Sequence, residues 1–489
     1  MTALNSFYIN GQWVAPSGQG TMPVIDPATE HHIGDVLLGN ANDAEKAIAA
    51  ARHAFASFSQ TTREQRIAFL QKILECYAER YEQLALAVSL ELGAPLTFAR
   101  DAQVATGQIH LETTIEALKN YVFDEVRGDV LITREPIGVC SLITPWNWPL
   151  NQIVCKVAPA LAAGCCMVLK PSEIAPLSSR IFAEVIDAAG LPDGVFNMVN
   201  GTGPEVGAVL ASHPEVDMVS FTGSTAAGIA VAKGAADTVK RVTQELGGKS
   251  AYIVLPDADF LSVIPQAVDA CFSNSGQSCD APTRLLVPKG KYEHVASLIR
   301  DHVATIKVGD PNSQDTALGP VISRTQFDKI QSLIQSGIDE GAEVICGGVG
   351  RPSGLTRGYY VTPTVFGATT PSMRIVKEEI FGPVLVVQCY EDERQAIEMA
   401  NDTVYGLAAY VQSADLAKAR SVARQLKAGS IYVNSPEWNP HAPFGGYKQS
   451  GNGREYADWG MHDYLEVKGV SGWGANRKQT PFECSQDRH

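Results

Sequence analysis

Short apolar runs alternate with helical patterns twice along this chain, and this alternation restricts the fold more than any other feature. The first set starts after Gly138, with strands predicted at 139–143, 166–169, 195–199 and 216–221. Helical patterns at 151–163, 176–189, 203–212 and 223–236 separate these strands. A second set follows the glycine pair at 247–248, with strands beginning at Tyr252, Arg284, Val384 and Ser430. This spacing is typical of βαβ units, so we predict two α/β domains, each built on a parallel sheet.

Before the first alternating set, the sequence predicts helices and one hairpin. The patterns Asn42-x-x-Glu45 and Thr62-x-x-Gln65 both have the form of a helix capping box. Another helix is predicted at about 98–117. Residues 122–136 alternate around a Gly-Asp turn, as in a β-hairpin. An isolated hairpin needs a partner surface, so this one either closes a domain or pairs with another subunit.

Composition excludes several classes of function. The 489 residues carry a net charge of −14, which argues against a nucleic-acid surface. No run reaches the roughly 18 apolar residues of a membrane span, and the first residues lack the basic and apolar regions of a signal peptide. The ten cysteines contain no C-x-x-C pair and no zinc-ligand spacing. We therefore expect no metal site, reduced thiols and a cytoplasmic location.

Polar motifs follow three predicted strands of the first set, at the end of the sheet where α/β proteins bind ligands. Asn147, within Thr-Pro-Trp-Asn-Trp-Pro, carries an amide that can donate to a developing oxyanion. Lys170 and Glu173 form a donor–acceptor pair that suits the vicinal hydroxyls of a sugar. Gly223 and Ser224 precede a helix whose N-terminus can bind a phosphate. Each motif, taken alone, is equally compatible with an ordinary turn.

Cys279 lies on an irregular connection between Gly276 and Pro282. Because glycine permits turns that other residues resist and proline stops a helix, this cysteine is a candidate for a presented nucleophile. The alternative is a packing residue, since free cysteines are commonly buried. Glu245 lies beside two glycines, between the two alternating sets, and is either a surface residue before a linker or a general base for water.

The chain resembles the aldehyde dehydrogenase superfamily over nearly its full length. Seven motifs in family order carry the resemblance: Thr-Pro-Trp-Asn-Trp-Pro, Lys-Pro-Ser-Glu, Phe-Thr-Gly-Ser-Thr, Glu-Leu-Gly-Gly-Lys, Gly-Gln-x-Cys, Glu-Glu-Ile-Phe-Gly-Pro and Pro-Phe-Gly-Gly-Tyr-Lys-x-Ser-Gly. The resemblance implies a Rossmann-like cofactor domain with a parallel sheet, a second α/β catalytic domain and a small β oligomerisation element. It also implies a homodimer or a homotetramer.

The domain boundaries implied by the resemblance follow from where its motifs fall. The NAD(P)-binding domain comprises residues 1–118 and 137–247, and the catalytic domain comprises residues 248–450. The oligomerisation element comprises residues 119–136 and 463–475, joined by a late strand at about 464–470. Residues 476–489 form a tail.

The activity implied by the resemblance is oxidation of a small-molecule aldehyde to the carboxylic acid, with NAD as cofactor and NADP as the alternative. Cys279 would attack the carbonyl carbon as a thiolate. Asn147 and the backbone N–H of Cys279 would hold the oxyanion. Glu245 would activate water for hydrolysis of the thioester, and a Lys156–Glu455 pair would hand protons outward.

Further residues are assigned to the two ligands by the same resemblance. Those for the cofactor are Ile143, Trp146, Lys170, Glu173, Gly223, Ser224, Leu246, Glu379 and Phe381. Those for the substrate are Trp148, Asn151, Gln152, Cys155, Ser278, Asp280, Trp438 and Phe444. The carboxylate of Glu173 should repel a 2′-phosphate and so favours NAD. The aromatic residues suit a flat or apolar substrate, whereas Asp280 with Glu437 would favour a polar or cationic group.

Three alternatives differ in what they require of these residues. A CoA-acylating aldehyde dehydrogenase would share Cys279 but would not need Glu245 as a base. A cysteine hydrolase without nicotinamide would need a Cys–His pair, and it would leave the cofactor motifs unexplained. A non-catalytic protein on the same fold would be expected to lack Cys279, Glu245 or Asn147. The residues present therefore favour the hydrolytic dehydrogenase.

Overall fold

Two large sheets and two small ones organise residues 4–474, which are the residues that the computed structural model describes. The predicted tail at 476–489 lies outside the described residues. The strands, in chain order, are β1 Phe7–Ile9, β2 Gln12–Val14, β3 Gly20–Ile25, β4 His32–Leu38, β5 Asp124–Arg127, β6 Val130–Pro136, β7 Val139–Ile143, β8 Cys166–Lys170, β9 Phe196–Met198, β10 Met218–Thr222, β11 Arg241–Glu245, β12 Ala251–Val254, β13 Arg284–Pro288, β14 Glu343–Cys346, β15 Thr364–Gly367, β16 Val384–Tyr390, β17 Ala408–Gln412, β18 Ser430–Val433, β19 Gly451–Asn452 and β20 Leu465–Ser471.

The helices pack on both faces of the large sheets. In chain order they are α1 Ala41–Phe58, α2 Arg63–Glu79, α3 Tyr81–Leu92, α4 Leu96–Phe98, α5 Ala105–Asn120, α6 Pro149–Ala163, α7 Pro176–Ala189, α8 Ala208–Ser212, α9 Thr225–Ala235, α10 Phe260–Phe272, α11 Tyr292–Val303, α12 Arg324–Asp339, α13 Arg374–Lys377, α14 Glu393–Asn401, α15 Leu416–Ala423 and α16 Ala457–His462. A π-helical turn over Ala99–Val104 joins α4 to α5, so the helix predicted at about 98–117 is continuous from 96 to 120. None of these described helices is long and apolar enough to cross a membrane.

The first large sheet has the strand order β19-β11-β10-β7-β8-β9-β1-β2. Its five central strands, from β11 to β9, are parallel, and antiparallel strands lie at both edges. Every residue of β7, β8 and β10 is buried. Burial on both faces is expected of a parallel sheet covered by helices, which is why these strands read as continuous apolar runs. The predicted α/β architecture is confirmed.

The second large sheet has the order β14-β15-β16-β13-β12-β17-β18. All neighbouring pairs are parallel except β14 with β15. The four predicted strands are present as β12, β13, β16 and β18. The sequence did not predict β14, β15 or β17, because short strands of four or five residues between loops carry little periodicity.

The predicted hairpin is present as β5 and β6, and β20 extends it to a three-stranded antiparallel sheet. β20 pairs with β6 over seven residues, from Leu465 opposite Pro136 to Ser471 opposite Val130. Apolar side chains of this sheet are exposed, including Val126 at 59% and Val467 at 66%. β20, from the same chain, therefore pairs with one edge of the hairpin, and the resulting sheet still exposes apolar side chains.

The first capping box lies two residues earlier than predicted. Asn40, not Asn42, caps α1, and the Asp43 carboxylate accepts from the Asn40 backbone N–H at 3.1 Å. The same carboxylate also accepts the N–H of Ser17, at 2.8 Å. This tertiary contact, which is absent from the local pattern, decides where the helix begins. The second box, Thr62 with Gln65, is confirmed.

Candidate active site

The carboxyl ends of the parallel strands in the first sheet gather several predicted site residues. Ile143 is the last residue of β7, Lys170 ends β8, Thr222 ends β10 and Glu245 ends β11. These four strands are neighbours in the sheet, so their ends share one edge. Of the two interpretations of Glu245, a surface residue before a linker is wrong, because Glu245 terminates a strand and is buried. β11 was missed because its sequence, Arg-Val-Thr-Gln-Glu, has no apolar run.

A cavity of about 140 Å³ lies at this edge and brings nine of the predicted residues together. They are Trp146, Asn147, Gly223, Ser224, Glu245, Leu246, Cys279, Glu379 and Phe381. Pro145, Thr222, Gly247, Gln326 and Lys329 complete its lining. Gln326 and Lys329 belong to α12, and no local pattern in the sequence marks them. They reach the cavity only because the second α/β unit packs against the first.

Cys279 reaches the cavity from a sharply turned connection after α10. Asn274, Ser275 and Gly276 have φ values of 53°, 55° and 73°, a left-handed run that costs free energy for the two non-glycine residues. A Cβ at Gly276 would lie 2.1 Å from the carbonyl carbon of Gly382, so only glycine fits the close approach of these two backbones. The Gly-Gln turn expected from the sequence is therefore a packing requirement.

The thiol of Cys279 lies among apolar and acidic groups. It packs against a buried cluster formed by Cys155, Leu407, Phe444 and Tyr456. Burial raises the pKa of the Cys279 thiol well above its ordinary value, and the neighbouring carboxylates, with Asp280 the largest contributor, raise it further.

Asn147 is locked to the connection that carries Cys279. Its Nδ2 donates to the backbone carbonyl of Gln277 at 3.0 Å, which leaves the second N–H of the amide for another acceptor. Asn274 Nδ2 donates in turn to the backbone carbonyls of Asn147, at 2.9 Å, and of Gln277, at 3.2 Å. The amide and the nucleophile-bearing connection therefore form one rigid unit.

Glu245 and a buried ion pair lie next to each other behind the thiol. Neither carboxylate oxygen of Glu245 has a hydrogen-bond partner within residues 4–474. Burial raises the pKa of Glu245 well above its ordinary value, and the charge of Glu455 raises it further. Lys156 is fully buried and is paired with Glu455, which also accepts from the Cys155 thiol at 3.4 Å. A small cavity of about 10 Å³, lined by Glu245, Lys156, Glu455 and Arg454 among others, connects these groups.

The predicted cofactor residues fit a dinucleotide. Buried Lys170 donates to Glu173 Oε2 at 2.9 Å, at the end of β8 and outside the cavity that contains Cys279. Ser224 caps α9 by accepting from the Ala227 N–H at 3.3 Å. Because Gly223 and Ser224 both line the cavity, the start of this helix faces it. Helix N-termini bind phosphate groups, and a carboxylate next to a strand end binds ribose hydroxyls.

Two further cofactor candidates come from the connection between α13 and β16. Glu379 is half-buried and accepts from the Gly248 N–H at 2.8 Å. Phe381 has a φ of 62° and meets Trp146 edge-on, with ring centroids 5.4 Å apart. These contacts place a carboxylate and two aromatic rings on the walls of the same cavity. Such a lining suits a ribose and a flat ring.

A second cavity, of about 440 Å³, is lined by residues of β18 and of the segment that follows it. Trp438 and Phe444 line it as predicted, together with Tyr432, Glu437 and Tyr456. Phe444 stacks on Tyr456 with centroids 5.1 Å apart, and both belong to the cluster that contacts Cys279. The nucleophile candidate thus lines the first cavity and packs against two residues that line the second. Tyr432 and Tyr456 were not predicted, since neither belongs to a motif.

The remaining substrate candidates surround the same cysteine. Trp148 Nε1 donates to Ser278 Oγ at 2.8 Å, and Gln152 lies one helical turn after Trp148 and is buried. The backbone carbonyl of Asp280 accepts from the Tyr410 hydroxyl at 3.2 Å. Burial raises the pKa of Asp280. Ser278 and Asp280 are therefore each fixed by one contact on either side of Cys279.

Comparison with known proteins finds relatives over nearly the whole chain. A family model described as "Aldehyde dehydrogenase family" matches residues 13–470. The chain is 50% identical over 474 residues to a 3-succinoylsemialdehyde-pyridine dehydrogenase from a Pseudomonas species. The alignment covers 97% of this chain and 99% of that relative.

Solved structures give the same result. One is aldehyde dehydrogenase C from Pseudomonas syringae, a cysteine-to-alanine mutant complexed with NAD+ and octanal, with a TM-score of 0.96, 52% identity and coverage of 97% of this chain and 98% of that one. Another is a point mutant of betaine aldehyde dehydrogenase from Staphylococcus aureus, in complex with NAD+ and with a BME-modified cysteine. Its TM-score is 0.92 at 39% identity, with 96% of this chain and 97% of that chain covered.

Proposed function

Because the chain belongs to the aldehyde dehydrogenase family, we propose that Cys279 is the nucleophile and that it works between two separate ligand cavities. The protein is an NAD-dependent oxidoreductase that converts an aldehyde to the carboxylic acid. One observation carries the assignment of the residues. Cys279 lines the cavity that also contains Asn147, Glu245 and Glu379, and it packs against the cluster of Phe444 and Tyr456, two residues that line the aromatic cavity.

The first step is addition of the Cys279 sulfur to the aldehyde carbon. The thiol proton passes to solvent water, the sulfur forms an S–C bond, and the electron pair of the C=O π bond moves to the aldehyde oxygen. The free N–H of the Asn147 amide and the backbone N–H of Cys279 hold this oxyanion, since preorganised donors act most strongly where charge develops. The chemistry that NAD+ supplies when bound is acceptance of the hydride that leaves this carbon. A thioester on Cys279 remains.

The second step is hydrolysis of that thioester. Glu245 takes a proton from water, which attacks the acyl carbon and breaks the C–S bond. Both carboxylate oxygens of Glu245 are without protein partners in the described chain, so they are available to a water molecule. The small cavity shared with Lys156 and Glu455 supports a role for this ion pair in passing the proton outward.

The groups proposed to hold the cofactor are distributed along the edge of the sheet. Lys170 and Glu173 would bind the adenosine ribose, and the start of α9 at Ser224 would bind the pyrophosphate. Glu379 would bind the nicotinamide ribose, between the rings of Trp146 and Phe381. Gly223 and Leu246 would complete the wall of this cavity, and Ile143, at the end of β7, lies outside its lining. A carboxylate at the adenosine ribose favours NAD over NADP, because a 2′-phosphate would meet like charge.

We propose that the substrate is an uncharged or cationic aldehyde with an apolar or aromatic body. The aromatic cavity carries Trp438, Phe444 and Tyr456, and its charged lining residue is Glu437. None of the described residues that line it is Lys, Arg or His. Asp280, beside the nucleophile, adds a second acidic group. An aldehyde that bears a carboxylate would therefore be desolvated without a cation to pair with.

Substrates named for similar proteins agree with this class. One relative is named for a pyridine semialdehyde and another was crystallised with octanal. Neither substrate carries over to this chain by similarity alone. Trp148, Gln152 and Ser278 would shape the entrance near the nucleophile and set the length of the chain that fits.

The arrangement of the chain leads to three further proposals. Residues 1–118 with 137–247 form the NAD-binding domain, and residues 248–450 form the catalytic domain. The three-stranded sheet, within 119–136 and 463–475, mediates assembly into a dimer or a tetramer through its exposed apolar side chains, and light scattering would decide between them. A catalytic thiol favours the reducing cytoplasm.

The test is NADH formation with an aldehyde panel. The panel holds octanal, a pyridine-bearing keto aldehyde, a trimethylammonium aldehyde and a carboxylate semialdehyde. We expect turnover with the first three and at least about tenfold lower kcat/KM for the last. Cys279→Ser should abolish turnover while it leaves NAD binding intact, whereas Cys389→Ser, at a half-buried position in β16, should change neither. Turnover by Cys279→Ser, or preference for the carboxylate aldehyde, would refute the respective part of the proposal.

A further inference from the structure

Gln103 is a fully buried polar residue that no catalytic motif contains. It lies in the π-helical turn Ala99–Val104, which interrupts an otherwise α-helical segment. Single π-turns within α-helices are uncommon and frequently occur at functional sites. The turn changes the direction in which side chains leave the helix, and here it directs an amide to the site.

Both N–H groups of this amide are used at the site. Gln103 Nε2 donates to the backbone carbonyl of Asn147 at 3.0 Å and to Asn274 Oδ1 at 3.2 Å. Its own Oε1 is buried and has no hydrogen-bond partner within the described part of the chain. Rotation of the amide would bring Oε1 against two acceptors, so the orientation is fixed. The fold leaves one buried acceptor unpaired and keeps both donors on these two asparagines.

Those two asparagines control the geometry around the nucleophile. Asn147 supplies the proposed oxyanion donor, and its backbone carbonyl is held from two sides, by Gln103 and by Asn274. Asn274 begins the left-handed run that turns the chain towards Cys279, with a φ of 53°. A strained conformation persists only where its surroundings hold it. Gln103 bridges the donor and the strained residue.

We propose that Gln103 is a positioning residue that holds the Asn147 amide and the Cys279 connection in the geometry required for oxyanion binding. The inference rests on the proposed oxyanion role of Asn147. Gln103 contacts neither ligand cavity, since it lines neither of them. Its effect therefore passes through Asn147 and Asn274, and it should act on the chemical step and not on binding.

The first test is Gln103→Met, which keeps the length of the side chain and removes both donors. We expect kcat to fall about tenfold, less than the 10²–10³ that loss of an oxyanion donor itself costs. KM for the aldehyde and the Kd for NAD should stay within about twofold, because positioning loss acts on kcat. Gln388→Met is the matched control, a buried glutamine in β16 whose Oε1 also has no partner within residues 4–474. Its kcat should be that of the wild type.

The second test is a double-mutant cycle with Asn147→Ala. If Gln103 acts through Asn147, Gln103→Met should lose most of its effect on kcat in the Asn147→Ala background. Fully additive effects, or a fall in kcat that tracks a lowered Tm in both glutamine variants, would overturn the inference. Wild-type turnover by Asn147→Ala would instead overturn the oxyanion role itself. A reduced rate in Asn147→Ala with an unchanged rate in Gln103→Met would remove only the inference about Gln103.

Discussion

Replacement of Glu245 by Gln separates the two halves of the reaction. The substitution keeps the shape of a side chain that is 4% exposed and has no hydrogen-bond partner within residues 4–474, so the fold should tolerate it. The amide cannot take a proton from water. Loss of a general base costs about 10²–10⁴ in rate, which is about 3–5 kcal/mol of activation free energy. We expect steady-state turnover to fall by that factor.

The first half of the reaction should survive this change. Cys279 attack and hydride loss do not require Glu245, so mixing Glu245→Gln with NAD+ and aldehyde should release about one NADH per chain in a fast burst. Stopped-flow fluorescence measures the burst. The control is Glu378→Gln, which removes an exposed carboxylate that is paired with Arg374. Hydroxylamine added after the free aldehyde has been removed should release the acyl group from Cys279 as a hydroxamate. Loss of the burst together with turnover would show that Glu245 acts before the thioester forms, and wild-type turnover would remove its role.

The direction in which the deacylation rate changes with pH follows from the raised pKa of Glu245. Burial and Glu455 raise the pKa of Glu245, so the carboxylate form that accepts a proton becomes populated only as the pH rises above the ordinary range for Glu. The deacylation rate of the wild type should therefore increase with pH. In Glu245→Gln this rising limb should disappear from single-turnover deacylation. A limb that is identical in the two proteins would assign the titration to another group.

Three other outcomes follow from the structure. Glu173→Ala should raise the ratio of kcat/KM for NADP to that for NAD by at least about tenfold, because it removes like charge and frees Lys170, and an unchanged ratio would contradict the ribose assignment. Burial raises the pKa of Glu91 to about 7, even though its carboxylate accepts from the Ser178 N–H at 3.0 Å. The native state therefore binds this proton more tightly than the unfolded state. Urea unfolding at a series of pH values gives the free energy of unfolding of the wild type and of Glu91→Gln. The difference between the two should fall by about 3 kcal/mol from about pH 4.5 to about pH 7. A difference that does not change with pH would contradict the raised pKa of Glu91. Glu437→Lys should improve kcat/KM for a carboxylate aldehyde relative to octanal by about three- to tenfold, and no change would place the substrate elsewhere.

The sequence marked the candidate catalytic residues more clearly than the strands and side chains that surround them. Cys279 and Asn147 each lie in a motif with turn residues, and the strands that lead to Asn147 and Lys170 are mainly apolar. Glu245 was harder to interpret, because β11 is polar along most of its length and reads as a linker. Glu245 is buried because β11 pairs with β10 on one side and with β19 on the other. β19, at Gly451–Asn452, is far from β11 along the chain.

Residues that reach the site from distant elements had no sequence signal. Lys329 lies on the polar face of α12, and its sequence does not differ from that of an ordinary solvent-exposed face. Tyr456 lies after the last of the seven motifs and belongs to none of them. The position of the first capping box was wrong for the same reason, since Asp43 is recruited by a loop more than twenty residues away. Gln103 carried no such signal either, because Arg100 and Asp101 make the stretch around it polar. The π-turn that gives it significance is visible only in three dimensions.

The central claim is that Cys279 carries the acyl group, and peptide mass spectrometry tests it directly. Glu245→Gln is incubated with NAD+ and octanal, quenched in acid and digested. We predict a mass gain equal to one octanoyl group in place of a hydrogen, on the peptide that contains Cys279 and on no other cysteine peptide. An adduct on Cys155, or an unmodified protein despite a full burst of NADH, would contradict the account.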